Sequence, residues 1–265
     1  SAEPEAVLEA VKGCLTSRTR VAIFDAVTSN TALSLPVREL TALCADRKVL
    51  SIIDGAHALG CMPQLDVPAL GADFVCGNLH KWLSNVRGSA FLHVRQGDER
   101  LRGALQPPVV SHGYGEGGLA SDFLWQGAAD YSAYLALPAC IEWWAAAGGL
   151  DAATHRNRQL LESATSVLSR AWCTEPLLPF SSASGQSLMS LVRLPLPANR
   201  KYTSTEGKAV QDYLYAHSIE CPVKTVNGAL YVRISAALYN EISDYERLAQ
   251  LVTDAALHLE KMGSR

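Results

Sequence analysis

A lysine that directly follows a buried strand is a candidate for covalent chemistry, and residues 73–82, DFVCGNLHKW, place one there. The apolar run breaks at Gly77 and Asn78, and His80 and Lys81 follow at once. A lysine held in apolar surroundings loses proton affinity and gains nucleophilicity, which is what carbonyl-capturing lysines use. The same lysine at the start of a surface loop would do no chemistry, and this run alone leaves both readings open.

Asp54 ends a second strand-like run, VLSIID (49–54), and GAHALG follows it, setting His57 three residues on. Ligands of open α/β sheets bind at the carboxyl edge of the strands. Two such strand ends would bring Asp54, His57, His80 and Lys81 into one crevice, where a carboxylate, imidazoles and an amine converge. The plainer reading has Asp54 capping a turn through Gly55 and His57 as a satisfied polar residue at a helix start. Towards the C-terminus, LYVRISAALYN (230–240) sets Arg233 in an otherwise apolar strand. A planar guanidinium there suits a carboxylate ligand, and an internal ion pair with an acidic residue would serve equally well.

Other constellations lack their required context. Gly113, Gly115 and Gly118 match G-x-G-x-x-G, but no strand leads in and no amphipathic helix follows. His57, Cys61, Cys76 and His80 could be written as four zinc ligands, yet they come from strand ends rather than tight knuckles, so no metal is expected. No G-x-S-x-G elbow marks a serine hydrolase. Cys221 lies in a strand-like run and reads as a small buried hydrophobe.

The elements that must position these residues alternate in type. A helical pattern over 4–17 precedes the strand RVAIFDAV (20–27), and Pro36 opens a helix reaching about Ala45. Strands at 49–54, 73–76 and 89–94 follow, indicating an α/β sheet that is at least partly parallel. Residues 95–128 read as a long functional loop, and 130–147 as one helix stopped by Gly148 and Gly149. Beyond it come a helix at about 150–170, the strand SLMSLVRL, a helix at 205–217, strands near 219–224 and 229–235, and a helix at 243–260. The expected organisation is a large unit, 1–149, and a smaller C-terminal α+β unit, 150–265.

Composition narrows the partners. With 265 residues, 48% hydrophobic and 18% charged, the chain is long enough for a substantial core and too apolar for disorder. A net charge of -3 without a basic run gives nucleic acid no footprint, and no stretch approaches the ~20 apolar residues of a membrane span. Seven scattered cysteines without a CxxC pair suit reduced thiols, and the opening SAEPEAVLEA lacks the features of a signal peptide, so a cytoplasmic protein is expected.

Taken together, these runs resemble the class V aminotransferase branch of the fold-type I pyridoxal phosphate enzymes. The carriers are Asp54 with His57 three residues later, the GADF lead-in to His80-Lys81, the strand after Gly88, SHGYG, FLWQGAADYSAYLALPA and the terminal VRIS-x3-YN run. Within that branch they are most similar to the group of isopenicillin N epimerases, cysteine desulfhydrases and hercynylcysteine sulfoxide lyases. The resemblance implies that Lys81 forms the Schiff base with pyridoxal 5'-phosphate and later acts as base at Cα, while Asp54 holds the pyridinium nitrogen protonated. It further implies that His57 meets the phenolic oxygen, that Asn78 and His80 bind the phosphate, and that Arg233 grips the α-carboxylate of a small, for example sulfur-containing, amino acid. Lyase, epimerase and aminotransferase outcomes all follow from such a site, and a homodimer is implied. Two departures stand out: Ala128 occupies a place where the family often has a phosphate-binding threonine, and family members exceed 265 residues by an N-terminal part that cradles phosphate and stacks on the ring. The resemblance therefore also admits a shortened, non-catalytic homologue that acts as a binding module.

Overall fold

The computed structural model of the protein describes residues 3–263. After α1 (Pro4–Cys14), three short strands, β1 (Val21–Asp25), β2 (Leu50–Asp54) and β3 (Phe74–Asn78), lie parallel in chain order. The helix α2 (Val37–Asp46) makes the crossover from β1 to β2 and buries Val37, Leu40 and Cys44. Because all three strands run the same way, Asp25, Asp54 and Cys76 stand in register at one carboxyl edge. The fourth strand, β4 (Ala90–Val94), is antiparallel to β3, with Asn78 opposite Ala90. Residues 79–89 are too few for the crossover that a parallel return needs, so the chain doubles back.

One face of this sheet is packed and the other is open. Ile53 and Val75 point into a cluster with Ala26, Val37, Ala58, Leu70 and Ala72. On the opposite face Val21, Leu50 and Leu92 are exposed, and Ile23 is 68% exposed.

A second, antiparallel sheet has the order β5 (Met189–Arg193), β7 (Ala229–Ser235), β6 (Val223–Val226). Its hairpin turns on Asn227 and Gly228, both at positive φ, the pair that a two-residue hairpin turn demands. The helices α7 (Leu150–Trp172), α8 (Ser204–Ala216) and α9 (Ile242–Gly263) complete a core around Leu161, Leu168, Val192, Leu214, Val232 and Val252. Thr203 and Glu206 form a reciprocal capping box at the start of α8. Smaller clusters join the two cores: Val27 and Ala32 meet Met189 and Leu191, and Leu79 and Leu83 meet Trp144 and Ala153.

Three expectations need correction. The 130–147 helix is two helices, α5 (Ser132–Leu135) and α6 (Leu137–Ala146), because Pro138 has no N–H to continue the first and fits the opening turn of the second. The 95–128 stretch is not bare loop but contains the six-residue helices α3 (Glu99–Ala104) and α4 (Leu119–Leu124). The strand expected near 219–224 is displaced to β6, beyond Pro222.

The relative placement of β2, β3 and β4 depends on Asp73. Its buried carboxylate accepts hydrogen bonds from Ser51 N at 2.8 Å and Ser51 Oγ at 3.0 Å, and it pairs with Arg95 Nη2 at 2.8 Å. Removing it leaves a buried amide and hydroxyl without their acceptor. Asp73→Ala is therefore expected to lower stability by about 2–4 kcal/mol, measured as a lower urea midpoint at unchanged m-value.

Candidate active site

The site is built where β2 and β3 end. Gly55 N donates to Cys76 O across the strand ends at 2.6 Å, and a Cβ on residue 55 would stand 2.9 Å from that oxygen. Only glycine permits this approach. Asp54 Oδ1 accepts from Ala56 N at 2.8 Å, closing the turn that lifts His57 over the end of β3. Gly77 is equally constrained, since a Cβ there would lie 2.6 Å from the ring of Phe91.

The loop after β3 is held from several sides. Leu79 N donates to Ser89 O at 3.2 Å, and buried Asn85 bonds Ser89 Oγ at 2.9 Å and Ala133 O at 2.8 Å. From α6, Trp144 Nε1 donates to Leu83 O at 2.7 Å. Lys81 thus sits on a braced turn. Its Nζ lies 3.4 Å from His57 Nε2, while Trp82 Nε1 lies 3.2 Å from His57 Nδ1. Lys81 itself is exposed, so of the two placements the sequence left open it takes the one at the start of a surface turn, because the buried run stops at Leu79.

Arg233 arrives from β7 of the second sheet. Its half-buried guanidinium donates through Nη1 to the backbone oxygen of Ser29 and, at 3.1 Å, to Ser29 Oγ. Among the described residues its side-chain partners are these serine oxygens and not a carboxylate, so the internal ion pair is not what the structure shows. His57, Lys81 and Arg233 line one cavity of about 730 Å³, whose remaining wall includes Trp82, Trp143 and Tyr239. Asp54, Asn78 and His80 stand at the same strand ends but do not line it. His80 Nδ1 is buried and has no partner among the described residues.

Burial, then the charges of Lys81 and Arg233, push the His57 imidazole down to about 4 against the opposing pull of Asp54. Desolvation lowers Arg233 as well. Partial burial and the neighbouring Asp54 charge raise Asp25, and Lys81 pulls it back. Cys221, whose Sγ donates to Arg233 O at 3.3 Å, is pushed up to about 12 by burial and is no nucleophile.

The remaining constellations do not assemble. Cys61 Sγ faces away from the site to accept from Leu188 N at 3.2 Å, and no group of three metal-ligating side chains occurs among the described residues. Gly113, Gly115 and Gly118 lie at positive φ in a turn ahead of the short α4, with no strand before them. Three neighbours of the site escape a motif-based reading: Asp25, Ser29 and Trp82. Asp25 had a signal, since RVAIFD ends in a carboxylate exactly as VLSIID does and parallel strands share an edge. Ser29 and Trp82 act through contacts that no local pattern encodes.

The family model "Aminotransferase class-V" matches residues 2–248, and the chain belongs to that family. It is 34% identical over 255 residues to putative L-cysteine desulfhydrase 1 of Oryza sativa subsp. japonica, covering 89% of this chain and 51% of the relative. It is 31% identical over 266 residues to isopenicillin N epimerase of Amycolatopsis lactamdurans, covering 95% of this chain and 64% of the relative. The chain thus spans about half to two thirds of the curated relatives it matches. Among solved structures, a cysteine desulfurase from Thermococcus onnurineus NA1 superposes with a TM-score of 0.70 at 18% identity, covering 90% of this chain and 60% of that one. The fold is the fold-type I architecture of pyridoxal phosphate enzymes, and proteins of this family depend on that cofactor.

The depressed His57 value has a consequence for stability. Unfolded, the imidazole takes a proton near 6.5, whereas folded it resists until about 4, so between those values the unfolded state binds more protons. Stability is expected to be fully present above pH 6.5 and to fall as pH drops towards 4. Urea midpoints across that window should show a shallower decline in His57→Gln than in the parent chain.

Proposed function

We propose that this chain carries the lysine and substrate-carboxylate side of a pyridoxal phosphate enzyme acting on a small, for example sulfur-containing, amino acid, with C–S lyase chemistry ahead of epimerisation. The observation that carries this reading is Lys81 Nζ 3.4 Å from His57 in a cavity that Arg233 also lines. The residues present fit the cofactor chemically: an amine for its aldehyde, a carboxylate at the strand edge for its ring nitrogen, and a buried His80 Nδ1 still lacking a partner. Bound there, pyridoxal phosphate would supply the aldehyde that captures an amine and a ring that draws electrons from Cα.

The chain's own groups then divide the work. Lys81 Nζ would hold the cofactor through its aldehyde and is the amine placed to take up the Cα proton. Asp54 would keep the ring nitrogen protonated, and Asp25 in register beside it adds a second negative charge to that edge. His57 would donate to the phenolic oxygen, and Asn78 and His80 would hold the phosphate. Arg233, oriented by Ser29, retains N–H groups for the substrate carboxylate. Trp82, Trp143 and Tyr239 lend aromatic surface to the cavity wall.

A homodimer forms part of the proposal, supported by the apolar surface that α5 and α6 present through Tyr134, Leu135, Ile141 and the 56% exposed Trp143. A cytoplasmic location is supported by seven free cysteines. Among the described residues, no helix is long and apolar enough to cross a membrane. A second reading, a non-catalytic homologue acting as a binding or interaction module, is favoured by Ala128, which is exposed and has no hydroxyl to offer a phosphate.

Adding pyridoxal phosphate to the purified chain is expected to give a stoichiometric visible absorption band that Lys81→Ala abolishes. Its absence from the parent chain would overturn the proposal, and either that absence or a band without turnover of any amino acid would favour the second reading. In an active preparation, Arg233→Ala is expected to raise KM about 10–100-fold with the band intact.

A further inference from the structure

Trp82 follows Lys81 directly, and its polar edge is turned towards His57. An indole N–H only donates. Trp82 Nε1 lies 3.2 Å from His57 Nδ1, with the two rings steeply inclined at 68°. Gly60, at φ +76°, makes room for this, since a Cβ on that residue would stand 3.1 Å from Trp82 Cβ.

A ring nitrogen that accepts a hydrogen bond carries no hydrogen of its own. The proton of a neutral His57 must therefore sit on Nε2. The imidazolium is disfavoured by the same contact, because an Nδ1–H would be set against the indole N–H. On the far side of the ring, Nε2–H points at Lys81 Nζ, 3.4 Å away. That contact is a hydrogen bond only when Nζ presents its free electron pair, the form that attacks an aldehyde or takes up a proton.

We propose that Trp82 is a positioning residue that locks His57 in the neutral Nε2–H form, so that one donor faces Lys81 and the cavity. This rests on the reading of His57 and Lys81 as the working pair, but it concerns the cofactor-free chain. Burial and the charges of Lys81 and Arg233 also disfavour a charged imidazole, opposed by Asp54. An ammonium on Lys81 would by itself favour a bare Nε2, so the two donors compete for the ring, and the Trp82 contact, at 3.2 Å against 3.4 Å, is what places the bare nitrogen at Nδ1 instead.

The test is nitrogen-15 NMR of the cofactor-free full chain, labelled at histidine and tryptophan. At pH 7 the parent should show His57 with a bare Nδ1 and a protonated Nε2, together with a scalar coupling across the hydrogen bond from Trp82 Nε1 to His57 Nδ1. In Trp82→Phe, which keeps an aromatic ring but lacks the donor, His57 should populate both tautomers and titrate about one pH unit or more higher. A protonated Nδ1 in the parent, or an unchanged tautomer and midpoint in the variant, would overturn the proposal. If the variant does not fold, the coupling in the parent decides: its absence also overturns the assignment. Because no cofactor is added, failure here is distinct from failure of the chain to take up pyridoxal phosphate.

Discussion

Everything at the site depends on one close approach, the hydrogen bond from Gly55 N to Cys76 O that joins the ends of two parallel strands. It fixes where β2 lets go of the sheet, and hence where Asp54 and His57 stand relative to the turn carrying Lys81. Both flanking glycines are sterically required, Gly55 by the Cys76 carbonyl and Gly77 by the Phe91 ring. Side chains on separate turns can hold a 3.4 Å contact only if the backbone beneath them is this tightly registered.

The bracing extends outward in layers of different chemistry. Asp73 ties the starts of the strands through charge-assisted hydrogen bonds, while Asn85 and Trp144 hold the loop beyond their ends. The second sheet contributes by bringing Arg233 onto Ser29, in the turn that follows β1 of the first. Small apolar clusters across the two sheets support that contact, so the cavity has walls from both halves of the chain.

Local pattern made the strands legible: RVAIFDAV, VLSIID and DFVC are short apolar runs with polar ends, and each is a strand. The same pattern located Asp54, His57, Lys81 and Arg233, because charged or polar residues placed against buried strands are conspicuous. What pattern missed was long-range or steric. The break at Pro138 gave way to a helical reading of the surrounding apolar residues, although the ring's missing N–H was visible in the sequence. The exposure of Lys81 depends on how the chain leaves β3, not on the composition of the run. Ser29 meets Arg233 across 204 positions and Trp82 meets His57 across 25, and no periodicity encodes either contact.

The central claim is that Lys81 is the residue that captures the cofactor aldehyde, and the most direct measurement is chemical trapping. The full chain is incubated with pyridoxal phosphate, reduced with borohydride, digested and mapped by mass spectrometry. The account requires one stoichiometric pyridoxyl adduct, on the peptide containing Lys81. An adduct spread over surface lysines such as Lys12, Lys48 and Lys208, or no adduct at all, would contradict it.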